Sequence, residues 1–165
     1  MEKRDLYDIN KNLTGNAIYK GDPIPENCYI FVVLAFIENS KGEFLIQKRS
    51  KQKDGKFGST GGHPKSGESS IQGMLTEINE ELGLTLTPKE LNLLYSGRSD
   101  SSHVFFDIYY TKQDFNISDL TLQKDEVESV SWMTIDEIEN LIKSDLFLQN
   151  HVDEFYRTMK ILNKL

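Results

Sequence analysis

The chain has 165 residues, enough for one domain with its own core, and its 38% hydrophobic and 27% charged residues strike a folded rather than a disordered balance. A formal net charge of −7 argues against non-specific binding to nucleic acid or to an anionic membrane surface, since both require basic patches. It leaves room for a phosphorylated ligand if a cation mediates the contact. The one cysteine, Cys28, excludes an internal disulfide and a cysteine-rich zinc site. A reducing, cytoplasmic setting is therefore expected, with Cys28 read as a packed core thiol.

In chain order, the polar start MEKRDLYDINKN lacks the apolar stretch of a signal peptide. Residues 1–28 read as a leading segment with short strands, punctuated by Gly15, Gly21, Pro23 and Pro25. YIFVVLAFI is too short to span a bilayer and suits a buried strand. With EFLIQKR it forms a predicted hairpin across ENSKG. Residues 50–67, rich in Gly, Ser and Lys, read as a long loop in which Lys51, Lys53 and Lys56 are solvated. Ile71, Leu75, Ile78 and Leu82 predict a helix over 68–82, with Ser66 or Ser69 as cap and Gly83 as the stop. LNLLYSG, HVFFDIYYTK and VESVSW follow as strands, with Tyr109 and Tyr110 on opposite faces. Thr134 and Glu137 predict a capping box for IDEIENLIK, and an amphipathic helix closes the chain around 151–163. Strands flanked by helices predict an α/β or α+β sandwich in one domain, 1–165.

The predicted helix over 68–82 carries Glu77, Glu80 and Glu81 at i, i+3 and i+4, hence on one face, and no Lys or Arg follows Lys65 in the segment. Like charges at that spacing oppose the helix by about 0.2–0.5 kcal/mol per pair. A solvated acidic face is the ordinary alternative, but such faces usually interleave lysine or arginine. Clustered hard oxygen ligands on a rigid helix suit Mg2+ or Mn2+, which would remove the repulsion. Gly58, Gly61, Gly62 and Gly67 precede the helix and permit close approach of a ligand to the backbone.

Gly62, Glu68 and the run from Thr76 to Leu84 resemble the Nudix box, G-x5-E-x7-R-E-U-x-E-E-x-G-U with U a bulky aliphatic, at every fixed position but one. LIQKRS before the box and DEVESVSWMTIDEI after it are similar to Nudix sequences at the same places. The resemblance implies a Nudix α/β/α sandwich with a mixed sheet and metal-dependent hydrolysis of a nucleoside diphosphate linked to another group. It implies Glu77, Glu80 and Glu81 as ligands of Mg2+ or Mn2+, helped by the carbonyl of Gly61 or Gly62, with Glu68 as an accessory carboxylate. The general base would be one of the ligand glutamates, Glu80 or Glu81 among them, or Glu126 beyond the box. Glu126 and Glu128, two apart, are expected on one face, with Glu126 the functional one. Arg49 is a candidate phosphate contact and His63 a loop residue near substrate. The expected partner is a small-molecule phosphoanhydride, with no nucleic acid and no membrane; a homodimer is left open, as are the base, sugar and leaving group.

The departure is Thr76, where the family has an arginine that braces a neighbouring glutamate; threonine offers one hydroxyl instead. Gly73, inside the helix, is a second oddity, disfavoured by about 0.8–1.0 kcal/mol relative to alanine. GGHPKSGES is also similar to part of isopentenyl-diphosphate isomerase, but Gly61 stands where that family has a catalytic cysteine, and no histidine precedes the motif. A nucleotide-binding module without turnover is the alternative of a different class.

Overall fold

The computed structural model describes residues 2–165. Strand β3 (Ile30–Glu38) is its axis and is buried on both faces. Its odd-numbered residues Phe31, Val33, Ala35 and Ile37 pack with Met74, Ile78 and Leu82 of helix α1 (Ser70–Leu82). Its even-numbered Leu34 and Phe36 pack with Ile138 of α2 (Ile135–Lys143) and Phe155 and Met159 of α3 (Gln149–Ile161). A strand apolar on both faces must be covered twice, and the α/β/α sandwich follows. On β8 (Val104–Lys112), Tyr109 joins the α1 side and Tyr110 the other, as the alternation requires.

The sheet is mixed. β3 runs parallel to β8, from Ile30 opposite Val104 to Glu38 opposite Lys112, and β7 (Asn92–Ser99) pairs antiparallel beyond it. The predicted hairpin between β3 and β4 (Phe44–Arg49) exists only at its base, where Glu38 pairs with Phe44. β4 then leaves to pair with β9 (Val127–Met133), while β3 pairs with β6 (Thr60–Gly62). The sheet thus has two arms that part above the Asn39 turn. Residues 50–67, expected as one loop, contain two short strands, β5 (Phe57–Gly58) and β6, one for each arm.

Residues 3–19 form a separate hairpin of β1 (Lys3–Tyr7) and β2 (Leu13–Tyr19). It is tied to the domain where Tyr7 and Tyr29 exchange backbone hydrogen bonds of 2.9 Å.

Helix α1 begins after Ser69, whose hydroxyl accepts from the Gln72 amide while the Gln72 side chain accepts from the Ser69 amide, and it ends at Gly83 in the left-handed region. Its core seam is Met74–Ile78–Leu82, with Ile71 and Leu75 only partly buried at the margin. That rotation from the expected stripe turns the neighbouring row, Gly73–Glu77–Glu81, inward. Gly73 is explained by contact: a Cβ there would lie 2.7 Å from Pro64 Cβ and Cγ, so the helix reaches the loop only without one. For α2, the Thr134 hydroxyl accepts from the Glu137 amide at 3.2 Å, the one half of the expected box that forms. Cys28 is half-buried rather than packed in the core.

Candidate active site

A cavity of about 910 Å³ opens where the two arms part. The middle of β3, the end of β4 and Gly61 and Gly62 of β6 form its centre; Glu77, Glu80 and Glu81 form one wall. The three glutamates share the cavity but not an environment. Glu81 is buried, and its Oε1 has no hydrogen-bond partner. Burial, and after it the Glu77 charge, pushes its carboxyl up to about 8. Glu77 is half-buried and rises to about 7, again chiefly by burial, with Lys65 opposing. Its carboxylate lies against Gly62, where a Cβ would sit 2.7 Å from both oxygens. Glu80 is the exposed member, and the Lys65 ammonium donates to it at 2.9 Å. The acidic row is therefore not without a cation: one arrives from the loop rather than from the helix.

Glu68 precedes the helix cap and stands behind this wall. Its Oε1 accepts from the Lys65 amide and its Oε2 from the Thr76 hydroxyl, both at 2.7 Å. Threonine in place of the box arginine thus still braces a glutamate, by a charge-assisted hydrogen bond instead of an ion pair. The chain of contacts runs Thr76, Glu68, Lys65, Glu80.

Among the described residues no three carboxylates or imidazoles are gathered into a ready coordination group. The donor chemistry nevertheless fits a divalent metal. Two neighbouring carboxylates are withdrawn from water, one oxygen is unpaired, and the glycine beside them leaves a backbone approach that a side chain would close. Hard oxygens of this kind suit Mg2+ or Mn2+, with Glu80 available as a third ligand once it leaves Lys65.

The remaining predicted residues separate by position. Glu126 and His63 line the cavity. Glu126 pairs with Lys53 and, at 3.8 Å, with Lys20. Glu128 pairs with Lys48 at 3.0 Å and takes no part in the cavity wall. Arg49 also lines the cavity and lies 3.4 Å from Asp54. His63 donates from Nδ1 to the Phe31 carbonyl at 3.0 Å, so the neutral ring presents Nε2 as an acceptor. Burial first, and then Arg4, lowers its pKa to about 4. A side chain at Gly61 would meet the Val33 carbonyl at 2.5 Å, so the place of the isomerase's cysteine has no room for one.

Several cavity residues were not marked by the sequence, cations among them. Lys53, expected to be solvated, faces inward, and Arg4 and Lys20 arrive from the leading segment. The lysine-rich loop was a signal for Lys53; no local pattern marks the other two. Leu148, Asn150 and Glu154 bring α3 and its lead-in to the opposite wall.

The sequence matches the NUDIX domain family over residues 29–155. It is 34% identical over 152 residues to an uncharacterised Nudix hydrolase of Listeria monocytogenes, covering 90% of this chain and 89% of that protein. It is 33% identical over 182 residues to another of Clostridium acetobutylicum, covering 97% and 86%. Among solved structures, a Deinococcus radiodurans protein superposes with a TM-score of 0.78 at 23% identity, covering 95% of this chain and 98% of that one. The NUDIX domain of Shewanella oneidensis NrtR, solved with ADP ribose, superposes with a TM-score of 0.65 at 16% identity, covering 81% and 88%. The chain belongs to the Nudix hydrolase family. No helix among the described residues is long and apolar enough to cross a membrane.

Proposed function

We propose that this chain hydrolyses a pyrophosphate linkage in a nucleoside diphosphate derivative and depends on Mg2+ or Mn2+. The observation that carries the reading is the pair Glu77 and Glu81: one carboxylate half-buried and its neighbour buried with one oxygen unpartnered, in a cavity able to hold a small-molecule phosphoanhydride. A bound divalent ion would neutralise the diphosphate and lower the pKa of water in its shell. Glu77, Glu80 and Glu81 are the residues to hold it, with the Gly62 carbonyl beside them. Once a bound ion keeps Glu81 ionised, its Oε1, unpaired in the structure, would be suited to accept a proton from attacking water. Glu68 acts through Lys65 and Thr76 rather than on substrate. Arg49 and His63, on the cavity wall, are assigned to the substrate.

The test is turnover of nucleoside diphosphate derivatives with and without Mg2+ or Mn2+, followed by mass spectrometry beside Glu80→Gln and Glu81→Gln. Metal-dependent cleavage between phosphates, lost in either variant, is expected. Metal binding without turnover of any compound would instead identify a binding module.

A further inference from the structure

The leading hairpin and Lys20, which follows it, lie outside the residues 29–155 that match the family model, yet they supply two of the cations in the cavity. The hairpin's docking is well defined. Besides the Tyr7–Tyr29 exchange, the Ser66 amide donates to the Lys3 carbonyl and the Gly67 amide to Asp5, each at 2.9 Å. Lys11 Nζ sits 5.1 Å from the centre of the Phe31 ring. These contacts fix β1 beside the loop that carries Gly62 and His63, and bring Arg4 and Lys20 to the cavity rim.

There they meet Lys53. Both lysines pair with Glu126, so one carboxylate serves two ammonium groups. Arg4 Nε is buried without a hydrogen-bond partner; the nearest carboxylate oxygen, on Glu2, stands 3.7 Å away. Arg4, Lys20 and Lys53 line the same cavity as His63. His63 directly follows Gly62, which touches Glu77, so this cationic cluster begins one residue from the carboxylate wall. In a cavity that also holds Glu77, Glu80 and Glu81, these three cations share two carboxylates, Glu2 and Glu126.

We propose that Arg4, Lys20 and Lys53 form a subsite for a free terminal phosphoryl group of the substrate, and that Glu126 is the positioning residue that holds the two lysines in place. The assignment rests on the hydrolase reading above. A terminal phosphate carries up to two negative charges and three acceptor oxygens. An ammonium group has three donors, so each lysine can keep its contact to Glu126 while it donates a charge-assisted hydrogen bond to the phosphate. A diphosphate diester, such as a nucleoside diphosphate sugar, has a neutral group at that point and leaves the cations unanswered. The subsite thereby selects against it.

The experiment compares a nucleoside diphosphate with a nucleoside diphosphate sugar in the presence of Mg2+, using the full chain and Lys20→Ala, Lys53→Ala and Glu126→Gln. Lys51→Ala, on the same loop but outside the cavity, is the control. KM for the nucleoside diphosphate is expected to rise about ten-fold in each lysine variant, with the sugar derivative unchanged. Lys53→Arg restores the wild-type value. Glu126→Gln raises the same KM and preserves kcat. In parallel, calorimetric titration with inorganic phosphate is expected to show saturable binding that is lost in the Lys20→Ala/Lys53→Ala double variant. Equal losses on both substrates, or unchanged phosphate binding in the double variant, overturn the subsite. A fall in kcat at constant KM in Glu126→Gln overturns the positioning role and makes that carboxylate a base. Lysine-dependent phosphate binding by a protein that cleaves neither compound supports the subsite and removes the hydrolase reading alone.

Discussion

Replacing Thr76 by valine keeps the shape of the side chain and deletes one hydroxyl. In the structure that hydroxyl donates to Glu68 Oε2 at 2.7 Å, and the acceptor is a partly buried carboxylate whose other oxygen is already held by the Lys65 amide. Hydrogen bonds to charged groups contribute about 1.5–3 kcal/mol when buried, and partial exposure of this pair brings the expected loss to about 1–2 kcal/mol. For a chain of this length that corresponds to a fall in Tm of roughly 3–6 °C. The consequence extends beyond stability. Glu68 fixes the backbone of Lys65, whose ammonium holds Glu80, so a loosened Glu68 frees Glu80 and changes the metal affinity of the acidic wall. The assay is urea denaturation of wild type, Thr76→Val, Glu68→Gln and the double variant as a cycle, with Thr76→Ser as the variant that keeps the bond. A coupling energy of about 1–2 kcal/mol is expected from the cycle. A coupling within about 0.3 kcal/mol of zero would refute the brace and leave threonine as a mere gap in the motif.

Metal-free protein should lose stability as pH rises from about 4.5 to about 8. Glu77 and Glu81 keep protons up to about 7 and about 8 in the folded state and have lost them when unfolded, so each removes up to about 1.4 kcal/mol per pH unit while it is protonated only in the fold. Saturating Mg2+ should abolish the loss, and urea midpoints at the two pH values decide it; a flat metal-free profile contradicts the burial argument. His63 and His151 act in the opposite direction: both are lowered to about 4, so they withdraw stability as pH falls from about 6.5 to about 4, measurable as the change on His151→Gln. Gly62→Ala should fold yet bind Mn2+ at least ten-fold more weakly by calorimetry, because its Cβ occupies the place of the Glu77 carboxylate. Gly73→Ala, which in a free helix gains about 1 kcal/mol, should here destabilise by about 1–2 kcal/mol through the contact with Pro64, a reversal of sign that a thermal melt will detect.

The parts of this fold legible in the sequence are those whose determinants lie within one element. Helix α1 declared itself by its apolar spacing, its Ser69 cap and its Gly83 stop, and the motif residues on it could be read by position. Even so, the apolar pattern does not distinguish Met74 from Ile71 as the core residue, and that rotation decides which glutamates are buried. β5 and β6 were hidden because strands of two and three residues, rich in glycine, have no period to read. The parting of β3 from β4 was hidden because it depends on β9 and β6 arriving as partners from distant sequence. Thr76 looked like a loss when only its side chain was considered; the compensating acceptor, Glu68, sits eight residues away and outside the helix.

The same distinction explains why the cavity has two characters. Its carboxylate wall is written in one contiguous motif, because Glu77, Glu80 and Glu81 share one helix and Gly62 lies in the segment just before it. Its cationic rim is assembled from Arg4, Lys20 and Lys53, three places that no local pattern connects. What brings them together is the docking of a hairpin by Tyr7, Asp5 and Lys11 onto the central strand and the glycine loop. A scaffold that leaves its chemistry fixed can therefore alter what it accepts by changing how a peripheral hairpin docks, and the substrate preference of this chain should be sought in that docking rather than in the motif.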